Sequence, residues 1–399
     1  MPGLVTWLNK KASENHLFFI KRLSANDTGA SGSHQSGTYI PLEVMKRVIP
    51  SICHTQERNP STSLIAKISS QYSHPREIMA TYYNNKYFDG SVNEPRLSRW
   101  GGRFSSLMNP DYTGALAIFS FEYGNELDCK FLDVWVSGNS YQEEIVQAII
   151  GEIVPGTVAY GLSYEIIGGV VENQAPHKNY NIPHCWHERF PSGREIINFS
   201  SELENYFFSR DPDALLMKRR SIEYDVFLFI EQLHASHLIS KGFDSVDSFI
   251  KIANAISNRR KSRAGRSLEI HLENILVEYG VSQFSTQAVT EGNKKPDFIF
   301  PSQAAYQNPY FPVDKLRMLA VKTTCKDRWR QAVSEANRIR NKHLFTLQEG
   351  VSINQFQEMT SAGIQLVVPR ELHSKYPNQI RGELMTLSDF IEELKSLNY

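Results

Sequence analysis

One carboxylate and one lysine stand at the ends of two hydrophobic strands predicted in the C-terminal half. Asp297 follows Pro296 in KKPDFIFP, and because proline cannot donate to a strand ladder, this aspartate is predicted to lie at the start of its strand. Lys322 follows 25 positions later and ends the apolar run MLAVK. Two neighbouring strands of one sheet would hold this carboxylate and this ammonium group side by side.

Glutamates on two predicted helices are placed to join this pair. Glu335 lies 13 residues after Lys322, in the helical stretch DRWRQAVSEANRIRN. In SLEIHLENILVEYG the leucines and isoleucines define an apolar face, and Glu269 and Glu273 lie at its border. We favour Glu269 because it is next to the basic run RRKSRAGR, residues 259–266.

Carboxylates with one lysine are the groups that metal-assisted phosphodiester hydrolysis requires. Mg²⁺ prefers oxygen ligands and keeps several waters, so Asp297 and Glu335 are the predicted ligands. The metal would polarise the phosphate and lower the pKa of a bound water. Lys322 would orient that water or stabilise the developing negative charge.

The same residues also have an ordinary structural interpretation. Asp297 would then be a turn residue, Lys322 a solvated charge at a strand end, and Glu335 part of a solvated helix face. The commonest nuclease pattern has an acidic residue two positions before the lysine, where this chain has Ala320. A nuclease site therefore requires its second carboxylate to come from a helix.

The N-terminal half is predicted to be mostly β. Residues 113–171 contain the strand-like runs ALAIFSFEY, CKFLDVWVSG and IIGGVVE, with one helical segment, SYQEEIVQAIIGEIV, between them. Residues 174–194, with several prolines and histidines and no sustained period, form the predicted linker. His184, Cys185 and His187 lie in it, but no second ligand pair follows at zinc spacing.

The C-terminal half is predicted to be α/β. Ser192 and Glu195 form a capping box that opens a helix, and helical patterns continue to about Tyr279. Five predicted strands then follow, with helical segments between some of them: QFSTQAVT, PDFIF, MLAVKTT, HLFTL and IQLVVP. The predicted helix TLSDFIEELKSL is the last element. Strands that alternate with helices are typical of an α/β domain.

Length, charge and cysteine usage limit the class of protein. A chain of 399 residues exceeds what one hydrophobic core usually serves, so two domains are expected. The formal net charge is zero, so a polyanion site must be built from local clusters. Four scattered cysteines suit a reducing cytosol, and no apolar run approaches 18 residues, so we expect a soluble intracellular protein with no membrane partner.

Four long strings resemble the EcoRII-type (Type IIE) restriction endonuclease family: KRLSANDTGASGSHQSG, SNRRKSRAGRSLEIHLE, TEGNKKPDFIFPS and RMLAVKTTCKDRWRQ. The similarity extends along essentially the whole chain. It implies an N-terminal effector domain over residues 1–173, mostly β and built as a B3-like DNA-binding pseudobarrel. It further implies a linker over residues 174–194 and an α/β restriction-endonuclease-like catalytic domain of the PD-(D/E)XK type over residues 195–399, with the second carboxylate on a helix.

The resemblance also assigns roles to individual residues. The implied catalytic residues are Glu269, Asp297, Lys322 and Glu335. The residues implied to read G·C pairs in the major groove are Lys326, Asp327 and Arg328, which fits the bidentate contact of arginine or lysine with guanine. The implied effector-domain recognition residues are His34, Tyr39, Glu94 and Arg96. The sequence departs from the family where Gly90, Val92 and Pro95 replace basic residues of the second recognition loop, so the affinity for effector DNA, or its sequence, is expected to differ.

The implied function is that of a Mg²⁺-dependent, homodimeric restriction endonuclease in the cytoplasm of a prokaryotic cell. It would cut duplex DNA at a short G·C-flanked site and be stimulated by a second DNA copy bound to the effector domain. A cognate DNA methyltransferase is implied as its functional partner, and two-fold symmetric targets suit a two-fold symmetric protein. Two alternatives stay open: a non-cleaving sequence-specific DNA-binding regulator, and a structure-selective repair nuclease.

Overall fold

Two separate β-sheets organise the chain, one in each of two structural units. The computed structural model describes residues 3–31, 37–124, 127–153, 156–167, 180–204, 211–241 and 246–397. The first unit comprises Met1–Gln174 together with the short segments Glu349–Phe356 and Ser374–Gly382. The second unit comprises Ala175–Gln348, Gln357–His373 and Glu383–Tyr399.

An eight-stranded sheet forms the first unit. Its strands are β1 (His16–Arg22), β2 (Thr38–Tyr39), β3 (Ser61–Ile68), β4 (Arg76–Asn84), β5 (Asn93–Ser98), β6 (Leu116–Glu122), β7 (Phe131–Val136) and β8 (Ala159–Leu162). Their order in the sheet is β2-β5-β4-β3-β7-β6-β1-β8. All neighbours are antiparallel except β3 and β7, which run parallel.

Alternation along β1 shows how this sheet is buried on both faces. Leu17 and Phe19 pack into one core, whereas Phe18 and Ile20 pack into a second core on the opposite face, as the two-residue period of a strand requires. Helical side chains complete the second core. The helices of this part of the chain are α1 (Leu4–Ser13), α2 (Leu42–Val48), α3 (Ser140–Ile150) and α4 (Ser163–Ile167).

The predicted elements of the N-terminal half are confirmed with one correction. The first two predicted strands are β6 and β7, and the helical segment between the predicted strands is α3. The predicted strand IIGGVVE is wrong at its first two residues, which belong to α4, while residues 168–172 lie outside the described residues. The chain turns into α4 because the Ser163 hydroxyl donates to the Lys11 carbonyl at 2.8 Å and Ile166 is buried in the second core.

The second unit is built on a five-stranded mixed sheet. Its strands are β9 (Ser285–Thr286), β10 (Phe298–Phe300), β11 (Arg317–Lys322), β12 (Lys342–Thr346) and β13 (Ile364–Val367), in the order β13-β12-β11-β10-β9. β11, β12 and β13 are parallel, and β9, β10 and β11 are antiparallel. The helices after residue 180 are α5 (Cys185–Glu188), α6 (Gly193–Glu204), α7 (Pro212–Lys241), α8 (Val246–Glu278), α9 (Gln303–Gln307), α10 (Trp329–Ser334), α11 (Ile353–Ser361) and α12 (Leu387–Ser396).

Capping chemistry defines the helix starts that the sequence predicts. Ser192 and Glu195 exchange hydrogen bonds before α6, and Thr386 and Asp389 form a complete capping box at α12. The strand predicted over residues 283–290 is confirmed only at Ser285–Thr286, which pairs as β9. The strand ends there because Gln287 adopts a left-handed conformation, with φ of 52°.

The described part of the predicted linker, residues 180–194, packs on its neighbours. Trp186 is buried, with its ring 5.2 Å from that of Phe199, and the ring of Phe190 lies 5.8 Å from that of Phe227. Among the described residues, no helix combines the length and the apolar character that crossing a membrane would require.

Candidate active site

Asp297 and Lys322 meet where β10 begins and β11 ends. The two strands are antiparallel, with Phe298 opposite Leu319, so the residue before β10 lies beside the last residues of β11. One carboxylate oxygen of Asp297, Oδ2, accepts from the backbone N–H of Val321 at 2.7 Å and from Lys322 Nζ at 3.1 Å. Asp297 is only 7% exposed. A shielded ion pair therefore stands at the edge of the sheet.

Gln287 holds the other side of Asp297 and was not predicted from the sequence. Its side-chain amide donates to Asp297 Oδ1 at 3.3 Å, and its backbone N–H donates to the Asp297 carbonyl at 3.2 Å. The left-handed backbone of Gln287 turns the chain beside the aspartate. The two carboxylate oxygens are thus oriented from different sides, Oδ2 by β11 and Oδ1 by the residue that follows β9. No sequence motif marks Gln287.

Glu335 does not lie on a helix, which corrects the sequence prediction. α10 ends at Ser334, and Glu335 follows it in an extended conformation. Two lysines stop the helix because they bond the carbonyls that it leaves unpaired: Lys294 Nζ donates to the Ser334 carbonyl at 2.7 Å, and Lys342 Nζ donates to the Val333 carbonyl. The cations also complement the negative end of the helix dipole.

The carboxylate of Glu335 is half-buried and incompletely bonded. Its Oε2 is buried, and the described residues offer it no hydrogen-bond partner. Burial raises the pKa of Glu335, the nearby Lys322 opposes this rise, and Asp297 adds to it. An unsatisfied buried carboxylate oxygen calls for a ligand, because leaving such a group unpaired is costly.

Glu269 approaches the same group of charges from α8. Burial also raises the pKa of Glu269, and the carboxylate of Asp297 raises it further, whereas Arg266 and Lys322 lower it. The structure therefore brings together the three predicted carboxylates and the predicted lysine. Strand pairing positions Asp297 and Lys322, while a helix and a helix end supply the two glutamates.

This arrangement fits a hard divalent cation that is shared with a substrate. The described residues contain no group of three or more histidine, cysteine or acidic side chains already arranged to hold a metal ion. Mg²⁺ does not require such a cage, since it is usually bound by one or two carboxylates, waters and substrate phosphates. The unpaired Oε2 of Glu335 and the oxygens of Asp297 are donors of that class.

The residues predicted to read bases form a turn between Lys322 and α10. Lys326 is buried, Asp327 is exposed, and Arg328 is half-buried at the position before α10. The backbone N–H of Cys325 donates to Gln348 Oε1 at 2.9 Å, which anchors the start of the turn to the segment that follows β12. The turn thus begins four residues after Lys322.

Three of the four predicted effector residues form a second cluster, in the first unit. Tyr39 on β2 pairs with Arg96 on β5, and Arg96 Nε donates to Glu94 Oε1 at 2.8 Å. Sequence reasoning missed two further members: Lys21 Nζ lies 5.6 Å from the centre of the Tyr39 ring and 2.7 Å from Asp27 Oδ2. His34, the fourth predicted residue, lies outside the described residues.

Glycine at position 90 is required by the conformation of the β4–β5 connection. A Cβ there would lie 2.5 Å from the Cβ of Asn85, closer than side chains approach one another. The basic residue expected at this position would therefore change the loop. Val92, the second departure, is 42% exposed, so this loop presents an uncharged surface at both positions.

Comparison with known proteins identifies relatives over both halves of the chain. The family model EcoRII C terminal matches residues 227–391, and the family model Restriction endonuclease EcoRII, N-terminal, matches residues 12–165. The type II restriction enzyme EcoRII of Escherichia coli is 51% identical over 398 residues, which are 98% of this chain and 97% of that protein.

More distant matches cover the chain in part. The type II restriction enzyme SsoII of Shigella sonnei is 23% identical over 224 residues, which are 54% of this chain and 66% of that protein. A solved structure described as metal-depleted Ecl18kI in complex with uncleaved, modified DNA is 20% identical, with a TM-score of 0.43, and the match covers 53% of this chain and 80% of that one.

Proposed function

Since the chain belongs to the EcoRII family of type II restriction enzymes, we propose that it hydrolyses phosphodiester bonds of duplex DNA at a short G·C-flanked site in a Mg²⁺-dependent reaction. The observation that carries this proposal is the meeting of Asp297, Lys322, Glu335 and Glu269 at one sheet edge. In this proposal residues 195–399 form a catalytic domain of the PD-(D/E)XK type, linked through residues 174–194 to a B3-like effector domain over residues 1–173.

Asp297 and Glu335 would hold the metal. When bound, Mg²⁺ would polarise the phosphate and acidify a water. Gln287 and the Val321 N–H orient Asp297, and the lysine contacts at the end of α10 fix the backbone beside Glu335. Lys322 stabilises the negative charge that develops on the phosphate, and Glu269 adds a further carboxylate at the edge of the cluster.

Recognition and cleavage share one short segment in this proposal. Lys326 and Arg328 would donate to guanine O6 and N7, while Asp327 would accept from cytosine N4. Only three residues separate Lys322 from the anchored turn that carries them, so a shift of the turn on the wrong sequence would also move the lysine. Such coupling would tie the chemistry to correct base reading.

The cluster around Tyr39 would bind a second copy of the DNA site and stimulate cleavage. Glu94, Arg96 and His34 complete the proposed recognition set. Gly90 has no side chain and Val92 has an apolar one, so neither supplies a charged phosphate contact, and effector binding would depend more on the cluster around Tyr39. We further propose a homodimer that acts in the cytoplasm of a prokaryotic cell together with a cognate DNA methyltransferase.

Cleavage of mixed-sequence plasmid DNA with and without Mg²⁺ tests the proposal. Discrete fragments whose sequenced ends share one short site are the expected result, with no cleavage when EDTA replaces the metal. Sequence-specific DNA binding without cleavage would favour a regulator, and cutting confined to branched junctions would favour a repair nuclease. Either result would refute the proposed activity.

The effector role has its own test in the full-length chain. A short duplex that contains the site should stimulate cleavage of a single-site plasmid by the unmodified protein but not by Tyr39→Ala. Tyr141→Ala is the matched control, since Tyr141 is an exposed tyrosine on α3, and it should respond fully. Equal stimulation of all three proteins would exclude Tyr39 from effector binding.

A further inference from the structure

A tight turn in the connection between β9 and β10 contacts the chain on both sides of Glu335. The turn spans Glu291–Asn293 and is closed by the Thr290 backbone N–H, which donates to the Lys294 carbonyl at 2.9 Å. Asp297 follows Lys294 by three residues. One short turn is thus linked to both carboxylates that the proposed site assigns to the metal, to one through the chain and to the other through hydrogen bonds.

Two hydrogen bonds fix the backbone beside Glu335. Lys294 Nζ donates to the carbonyl of Ser334, the residue before Glu335. On the other side, the backbone N–H of Asn337 donates to Glu291 Oε2 at 3.2 Å. The carbonyl before Glu335 and the N–H two residues after it are therefore both held by side chains of the same turn.

Glu291 is itself held from a third direction. The hydroxyl of Tyr306, a buried residue of α9, lies 2.6 and 2.7 Å from the two carboxylate oxygens of Glu291 and donates to them. The same hydroxyl accepts from the backbone N–H of Arg338 at 3.3 Å. Partial burial raises the pKa of Glu291, but the hydrogen bonds from Tyr306 and Asn337 lower it below its ordinary value. The carboxylate is therefore an ionised acceptor, which makes the stronger kind of hydrogen bond.

The backbone between Glu335 and Asn337 requires this restraint. Ala336 is fully buried and adopts a left-handed conformation, with φ of 48°. A residue with a Cβ is disfavoured in this conformation and persists there only where the surrounding structure fixes it. Because the left-handed residue turns the chain directly after Glu335, the direction of the Glu335 side chain depends on it.

We propose that Glu291 is a positioning residue for the metal site. Its hydrogen bond with Asn337 holds Ala336 in the left-handed conformation, which fixes the direction in which Glu335 is presented. Mg²⁺ demands near-ideal geometry from its ligands, so a small displacement of Glu335 relative to Asp297 would weaken metal binding. This inference rests on the proposed function, in which those two carboxylates hold the metal.

The Mg²⁺ dependence of single-turnover cleavage by the full-length protein tests this role. In Glu291→Ala the Mg²⁺ concentration that gives half of the maximal rate should rise about 10-fold, as when a group that orients a metal ligand is lost. The rate at saturating Mg²⁺ should change little. Glu291→Gln keeps an acceptor for the Asn337 N–H, so its shift should be clearly smaller. Glu392→Ala removes an exposed carboxylate from α12 and, as the control, should show no shift.

Hydrogen exchange of the metal-free proteins tests the contact without relying on activity. The backbone N–H groups of residues 337–339 are all hydrogen-bonded. Their exchange should become faster in Glu291→Ala, because the turn that protects them is loosened, and should not change in Glu392→Ala. Thermal unfolding shows whether each variant is folded.

A double-mutant cycle with Ala336→Gly tests whether Glu291 acts through residue 336. Glycine adopts the left-handed conformation without the penalty of a Cβ, so it depends less on the restraint. In the Ala336→Gly background, Glu291→Ala should therefore shift the half-saturating Mg²⁺ concentration by about 3-fold or less. A shift as large as in the unmodified background would refute this route of action.

Three other results would overturn the inference. The first is unchanged exchange at residues 337–339 in folded Glu291→Ala, and the second is faster exchange with an unchanged Mg²⁺ requirement. The third is an equal shift in Glu291→Ala and Glu291→Gln, which would indicate a long-range effect of charge instead of positioning. Absence of Mg²⁺-dependent cleavage by the unmodified protein would refute the proposed function itself, and the exchange measurement distinguishes that outcome because it requires no activity.

Discussion

Replacing Lys322 by methionine tests the proposed active site most directly. The substitution removes the charge and shortens the unbranched side chain by one atom. Lys322 Nζ lies 3.1 Å from Asp297 Oδ2, and the two side chains are only 18% and 9% exposed. The perturbation therefore removes a shielded cation that pairs with Asp297 and acts electrostatically on Glu269 and Glu335, and it leaves the strand that carries Lys322 intact.

The expected loss of activity follows from the shielding. A preorganised donor aimed at developing charge contributes about 100 to 1,000-fold to a rate when water is largely excluded. We expect Lys322→Met to slow single-turnover cleavage by about 1,000-fold, the upper end, because both partners are nearly enclosed. Affinity for cognate DNA should change by less than about 3-fold, since one ammonium contributes little to a long interface.

Cleavage and binding are measured separately to distinguish chemistry from folding. Single-turnover cleavage at saturating enzyme gives the rate, and anisotropy in Ca²⁺ gives the affinity. Lys395→Met, which removes an exposed lysine from α12, is the control and should match the unmodified protein. A Lys322→Met rate within 10-fold of the unmodified protein would refute the role given to this lysine, as would a loss of activity that only reflects lost DNA binding.

Three other substitutions probe base reading, electrostatics and stability. Arg328→Ala should cost about 1 to 3 kcal/mol of discrimination between cognate and scrambled duplexes, and an unchanged affinity ratio would remove Arg328 from readout. Burial raises the pKa of Glu335 in the folded protein above its ordinary value of 4.5. The folded state therefore loses stability as the pH rises from 4.5 through the pKa that Glu335 has in the folded protein. Glu335→Gln should therefore have a higher free energy of unfolding than the unmodified protein at pH 7, and in urea titrations this gain should vanish as the pH falls below 4.5. Asp213 is buried and accepts backbone N–H groups of Leu387 and Ser388 at 2.9 Å each, so Asp213→Ala should lower the free energy of unfolding by about 3 kcal/mol in the same titrations, whereas a loss below 1 kcal/mol would contradict this contribution.

Local chemistry made much of the fold predictable. The β-branched and aromatic residues of β6 and β7 and the capping boxes before α6 and α12 act within a few residues, so they can be seen directly in the sequence. The predicted strand at residues 166–167 failed because burial against α1 outweighed strand propensity. Propensity is a weak guide wherever a distant segment completes the packing.

The sequence by itself determined which residues could do the chemistry: a proline places Asp297 at a strand start, and a hydrophobic run places Lys322 at a strand end. Only the tertiary structure decided how Glu335 is presented, because the lysines that end α10 before it come from positions 294 and 342. Likewise, Gln287 becomes a partner of Asp297 only through the pairing of β9 with β10. Spacing along a chain records local preferences, whereas the partners of a buried charge are set by whichever distant donors the packing brings within hydrogen-bonding distance.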